Sequence, residues 1–212
     1  MLLGEQMKQA GWPYFVKTLV DRVMAASGLV LFSPVLGAAA AGVALTIGRP
    51  VLFVQERPGR NGHPIRMFKL RTMTNARDDN GTLLTDAERI TAYGRFLRTT
   101  SIDDLPNLIN VLRGELSLVG PRPLLTRYLP LYNSHQARRH EVMPGITGWA
   151  QVHGRNAISH EERFNLDVWY VDNWSLGLDI RIIAKTVATL LRRDQVTAPG
   201  EATKELWRGN LR

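Results

Sequence analysis

The chain has 212 residues and no cysteine, with 27 Lys and Arg against 19 Asp and Glu and a formal charge of +8 at pH 7. That length suits one compact domain, and the lack of cysteine excludes disulfides, thiolate nucleophiles and cysteine-based metal sites. The positive surplus points to a polyanionic partner: nucleic acid, anionic lipid or a phosphorylated substrate.

Residues 1–16 form a short lead with Trp12, Pro13 and Tyr14. Residues 23–48 hold no charged side chain, a run longer than the roughly 20 residues a membrane helix needs. A signal peptide fits poorly, because the small residues 38–41 lie inside the run with more apolar sequence beyond. A buried core helix is the competing assignment. Ser33-Pro34 sits near the middle of the run. Proline removes a donor and clashes with the preceding turn, which predicts a break, and Ser33 can hydrogen-bond the freed carbonyl. Lys17 and Arg22 lie before the run; Arg49, Arg57 and Arg60 lie after it. Basic flanks on both sides suit a re-entrant dip, and a kinked transmembrane helix is the alternative.

Residues 51–55 and 65–70 are short β-prone runs around a turn-rich segment, which predicts a hairpin. Residues 75–82 read as a mobile polar loop. Thr85 and Glu88 form a capping-box pattern that opens a helix to about Leu97. A further helix is expected over 105–112. Residues 119–123 (VGPRP) are rigid non-helical backbone, 124–140 read as helix, 143–152 as extended and 159–174 as helix. Residues 176–193 place Ile180, Ile183, Val187, Leu190 and Leu191 at helical spacing beside Arg181, Lys185, Arg192 and Arg193. Such a helix suits an anionic membrane interface or packing on the protein's own core.

Two acidic pairs stand out. Asp78-Asp79 lies in the polar loop and reads as a solvated turn. Asp103-Asp104 opens a helix, with Ser101, Asp103 or Asp104 as its cap. The positive end of a helix stabilises carboxylates and attracts phosphate. A carboxylate beside phosphates, with a metal to screen repulsion, can act as a nucleophile; simple capping is the plainer assignment. Lys69, Arg71, Arg98, Arg122 and Arg155 supply cations around this pair, and Arg122 is clamped between Pro121 and Pro123. Arginine suits phosphate oxygens. Phosphate-binding loops, dinucleotide fingerprints, nucleophile elbows and histidine pairs at i, i+4 do not occur, and no groove-reading motif supports nucleic acid.

These blocks resemble the bacterial sugar transferase family, the monotopic phosphoglycosyl transferases. The resemblance runs from about Lys17 to Asn210. Asp21 with the helix broken at Ser33-Pro34, PVLFVQER (50–57), FKLRTM (68–73), TSIDDLPNL (100–108), LVGPRP (118–123), PGITGWAQ (144–151) and GRN (154–156) follow in order. It implies an α+β, mostly helical fold: a 1–16 lead, a re-entrant membrane helix over 17–49, and a cytosolic catalytic domain over 50–212 with a small β-hairpin and amphipathic interfacial helices. It implies a UDP-sugar donor, an undecaprenyl phosphate acceptor, Mg²⁺ as cofactor, and a place on the cytosolic face of the bacterial inner membrane among anionic lipids, with the oligomeric state open. Asp103 is then the nucleophile and a metal ligand, Asp104 its partner carboxylate, and Lys69, Arg71, Arg98, Arg122 and Arg155 bind phosphate or nucleotide. The family usually carries Asp-Glu at the dyad, and tryptophan where this chain has His160. The tail around Trp207 resembles members that use N,N′-diacetylbacillosamine; N-acetylgalactosamine, N-acetylglucosamine, glucose and galactose stay open. A non-catalytic membrane-bound binding module, and a glycosyl transferase that releases UDP, are the alternatives.

Overall fold

The computed structural model describes residues 9–154, 158–191 and 206–210. The uncharged run lies in one helix, α1 (Gly11–Thr46), of 36 residues. At 1.5 Å per residue its contour is about 54 Å. It starts before the expected boundary at residue 17 and stays helical through Pro34. Pro34 has no N–H for the Val30 carbonyl four residues back; the Ser33 hydroxyl donates to that carbonyl instead, at 2.8 Å. Residues 30–35 are exposed, including Val30, Leu31, Phe32 and Val35.

Both limbs of α1 lie against the rest of the chain. On the N-terminal limb, Ala25 and Leu29 pack with Met67, Leu108, Val111 and Leu116. On the C-terminal limb, Ala39 and Val43 pack with Leu70 and Leu97, flanked by Tyr93 and Ile102. A buried ionic network fixes the N-terminal limb. Lys17 Nζ donates to Asp179 Oδ2 at 2.6 Å and to the Val119 carbonyl at 3.1 Å. Ser117 Oγ donates to Asp21 Oδ2 at 2.6 Å, and Tyr170 Oη donates to Asp179 Oδ1 at 2.7 Å.

The expected hairpin forms: β1 (Leu52–Pro58) and β2 (Pro64–Leu70) are antiparallel, with Phe53 opposite Lys69 and Arg57 opposite Ile65. Residues 75–82 form a bridged turn, in which the Asp78 carboxylate accepts from the backbone of Asn80 and Thr82. The helix expected from Thr85 to Leu97 is divided into α2 (Asp86–Arg89) and α3 (Ala92–Thr99). Ile90 is extended and bridges to Met73, and Thr91 caps α3 by accepting from the Gly94 N–H. The 105–112 helix is a 3-10 segment (Ile102–Asn107) continued by α4 (Leu108–Arg113).

The segment expected as helix over 124–140 is also divided, into a 3-10 segment (Thr126–Leu131), α5 (Ser134–Ala137) and a 3-10 turn (Arg138–His140). Pro130 lies inside the first piece, and Asn133 starts a new cap by accepting from the Gln136 N–H. The stretch read as extended over 143–152 is half strand and half helix, β4 (Gly145–Thr147) then α6 (Trp149–Val152). Parallel pairing of β4 with β3 (Ser117–Val119) was not legible in the sequence. α7 (His160–Asn173) and α8 (Leu176–Leu191) close the fold. In α8, Ile182 packs with Val119, Val142, Tyr170 and Val171, while Ile180 and Val187 are exposed.

Candidate active site

The two aspartates open the 3-10 segment that follows α3. Ser101 precedes them with φ 58°, a left-handed conformation uncommon outside glycine. None of the three caps this segment as expected: Ser101 occupies the cap position without a side-chain bond, and the Asp104 carboxylate faces cations instead. Lys69 Nζ lies 2.5 Å from Asp104 Oδ1, and Arg122 Nη2 donates to Asp104 Oδ2 at 2.8 Å. Among the described residues, no hydrogen bond or ion pair reaches the Asp103 carboxylate, although the residue is only 8% exposed.

That asymmetry divides the pair electrostatically. For Asp103, burial and then the neighbouring Asp104 charge raise the pKa to about 6. Burial alone would raise Asp104 too, but Arg122 and Lys69 outweigh it and hold that carboxyl well below its ordinary range. At neutral pH both are ionised, and Asp103 is the more basic. An unpaired, desolvated carboxylate beside a clamped one has the character of a nucleophile.

Three elements fix the cations. Lys69 lies near the end of β2, and the Asn110 amide ties that strand to α4: its Nδ2 donates to the Arg66 carbonyl at 2.7 Å. Arg122 follows β3, and its Nη1 donates to the carbonyl of Ile146 in β4 at 3.2 Å. Its own carbonyl accepts from Arg139 at 2.8 Å, and Arg139 is paired with Asp167 in the interior at 2.6 Å. The β3–β4 approach depends on glycine: a Cβ at Gly145 would lie 2.1 Å from the Gly120 nitrogen. About a third of the Arg122 side chain, 36%, remains exposed, so it can meet a ligand.

Of the residues expected from sequence, Asp103, Asp104, Lys69 and Arg122 converge, and the Arg98 charge reaches Asp103. Arg98 Nε also donates to Thr72 Oγ1 at 3.1 Å. Arg71 is turned elsewhere; its guanidinium donates to the carbonyls of Met73 and Arg49 at 2.9 and 3.0 Å. Arg155 lies outside the described residues. The sequence reading missed Arg139 and Asp167, which support Arg122 from behind, and Arg57, on which the charges of Arg122 and Asp104 act. A buried Arg–Asp pair across 28 positions leaves no local signal in the sequence.

Among the described residues, no cluster of three or more His, Asp or Glu side chains could hold a metal alone. Mg²⁺ does not require such a cage, because it binds through one or two carboxylates together with substrate phosphates and water. The open Asp103 carboxylate fits that mode.

Residues 12–193 match the bacterial sugar transferase family. The uncharacterized sugar transferase EpsL of Bacillus subtilis (strain 168) is 53% identical over 195 residues, 92% of this chain and 96% of that protein. A UDP-glucose:undecaprenyl-phosphate glucose-1-phosphate transferase of Xanthomonas campestris pv. campestris is 44% identical over 193 residues, which cover 84% of this chain and 40% of that protein. A UDP-N-acetylgalactosamine-undecaprenyl-phosphate N-acetylgalactosaminephosphotransferase of Aeromonas hydrophila is 38% identical over 189 residues, 84% of this chain and 44% of that protein. The chain thus spans less than half the length of these last two.

Proposed function

Because the chain belongs to the bacterial sugar transferase family, we propose that it transfers a sugar 1-phosphate from a UDP-sugar to undecaprenyl phosphate through a covalent intermediate on Asp103, an early membrane step of glycoconjugate assembly. The observation that carries this reading is the divided dyad: Asp104 clamped by Lys69 and Arg122, Asp103 buried and unpaired among the described residues.

In the first half-reaction an Asp103 carboxylate oxygen attacks the phosphorus that bears the sugar. The bond from that phosphorus to the UMP oxygen breaks, and UMP leaves with the electron pair. Arg122 and Lys69 hold the phosphoryl oxygens, which carry the charge in the transition state. In the second half-reaction a phosphate oxygen of undecaprenyl phosphate attacks the same phosphorus and releases Asp103. Mg²⁺, held by Asp103 and the substrate phosphates, would neutralise charge there.

The lipid acceptor gives α1 its purpose. We read α1 as re-entrant, because limbs on either side of Pro34 pack on one body while Val30, Leu31, Phe32 and Val35 between them stay exposed. A span would put about 30 Å of hydrocarbon between its two ends. The exposed Trp12, Phe15, Ile180 and Val187 suit contact with the interface. Since the chain lacks cysteine, single Trp12→Cys and Arg49→Cys variants can be labelled from one side of sealed vesicles. Labelling from the same side supports the re-entrant reading, and opposite sides exclude it.

The chemical test is the nucleotide product. Purified protein with Mg²⁺, undecaprenyl phosphate and a panel of UDP-sugars should release UMP with the preferred donor. UDP would mean that only the sugar moves and would remove Asp103 from its role.

A further inference from the structure

Two buried asparagines follow the dyad in the chain, and they are used differently. Asn110, on α4, is fully buried, and both ends of its amide are engaged. Its Oδ1 accepts from the Phe68 N–H at 3.4 Å, and its Nδ2 donates to the Arg66 carbonyl at 2.7 Å and to Glu115 Oε2 at 2.6 Å. Those bonds join β2 to α4. Asn107, at the end of the 3-10 segment that carries both aspartates, is 1% exposed. Its side chain makes one bond among the described residues: Nδ2 donates to Asp104 Oδ1 at 3.4 Å. Its Oδ1 is buried and has no partner among the described residues.

The direction of that bond follows from charge. Reversing the amide would set its carbonyl oxygen against the Asp104 carboxylate, so the nitrogen faces Asp104. A buried carbonyl without a donor costs stability, and an apolar residue of similar size would avoid the cost. Folding therefore gives no reason for an amide at this place. The bond to Asp104 does.

Its value lies in what the other two donors must do. Lys69 and Arg122 meet Asp104 with side chains that are partly exposed, and in the reaction proposed above both also hold phosphoryl oxygens. Asn107 is closed off from any ligand, so its donor stays on Asp104 while the cations divide theirs. The amide is also neutral. It orients Asp104 without placing a further positive charge where Asp103 would pair with it.

We propose that Asn107 is a positioning residue: its amide keeps the Asp104 carboxylate turned toward Lys69 and Arg122 through both half-reactions, and so keeps Asp103 unpaired and free to attack phosphorus. This deepens the phosphoglycosyl transfer proposed above and rests on it. Asn107 itself touches no substrate.

The test uses Asn107→Leu, which removes the donor at similar volume. Its kcat for UMP release should fall by roughly fivefold or more, with KM for the UDP-sugar within about twofold of wild type. In an Asp104→Asn background the same substitution should lower kcat by less than about twofold, because the group it acts through is already changed. The melting temperature of Asn107→Leu should stay within about 4 °C of wild type, whereas Asn110→Leu, which breaks three bonds, should lose more. A smaller fall in kcat, a loss carried by KM, or an undiminished loss in the Asp104→Asn background overturns the assignment. A drop in melting temperature as large as that of Asn110→Leu shows that Asn107 serves the fold, and overturns it too. Should Asn107→Leu fail to fold, Asn107→Ala removes the same donor with less bulk and is read by the same kcat and KM criteria; failure of both counts against the proposal. Wild type that releases no UMP from any donor defeats the underlying reaction instead, so the two failures are distinguishable.

Discussion

Two buried ionic groups in this chain use similar residues to opposite ends. In the first, Lys17, Asp21, Ser117, Tyr170 and Asp179 join α1 to β3, α7 and α8, and the carboxylates of Asp21 and Asp179 are met by a hydroxyl, an ammonium or both. In the second, Lys69 and Arg122 both serve Asp104 and leave Asp103 unpaired among the described residues. The first group satisfies its charges and fixes the apolar helix α1. The second concentrates its cations on one carboxylate and so leaves the other reactive. Burial alone does not separate them, since Lys17, Asp21, Asp179 and Asp103 are all buried. The allocation of partners does. A completed network stabilises, and an incomplete one in a cation-lined site is a candidate for chemistry.

The sharpest way to break this comparison is Asp103→Asn. Turnover should fall by roughly 10³-fold or more, because an amide does not attack phosphorus, and UMP release in a single turnover measures it. The same variant should be more stable. Folded Asp103 holds its proton more tightly than the unfolded chain, whose reference value is 3.8. Its ionisation therefore opposes folding: the penalty is absent below that value and complete once pH rises past about 6. Removing it should gain about 3 kcal/mol at neutral pH, read by denaturant unfolding in detergent. A destabilised Asp103→Asn would show that the carboxylate has structural partners after all.

Lys17→Met should do the reverse. It leaves Asp21 and Asp179 facing one another in the interior and should lower stability by about 3–5 kcal/mol. In the fraction that stays folded, the acid limb of kcat/KM should not move, because Lys17 is not among the charges acting on Asp103. Gly145→Ala probes the platform between the two groups. Its new Cβ would meet the Gly120 backbone, so β3 and β4 must separate, at about 1–3 kcal/mol. Activity should drop as Arg122 loses its registration with Ile146.

The wild-type acid limb should fall near pH 6, where free Asp103 takes up its proton. Asp104→Asn should shift that limb to lower pH, since it removes a like charge and frees Lys69 and Arg122 toward Asp103. A limb that stays in place would assign the titration to another group. The smallest effect is expected from Ser33→Ala. The Val30 carbonyl would lose its 2.8 Å donor, and α1 should be less stable by about 1 kcal/mol, measured by thermal unfolding in detergent.

Much of this was legible in the sequence because it is local. The uncharged run over 23–48, the hairpin around residues 56–62, the helix over 159–174 and the Asp103-Asp104 pair are written in neighbouring residues. The clamped Arg122 was legible too, through its two prolines. Helix continuity was not. The segments read as single helices over 85–97 and 124–140 are each divided, by the Met73–Ile90 bridge in one case and by Pro130 and the Asn133 cap in the other.

Sequence alone determined the apolar helix, its Ser33-Pro34 device, the cationic surplus and the family. Each is a property of composition or of short spacing, which needs no partner to be read. Only the tertiary structure decided which aspartate is clamped and which is open. It also turned Arg71 to the backbone of Arg49 and Met73 and set Arg139 behind Arg122. Those outcomes depend on where β2, β3, β4 and α7 meet. Electrostatic character is set by distance and desolvation between residues far apart in the chain, and chain order does not encode either one locally.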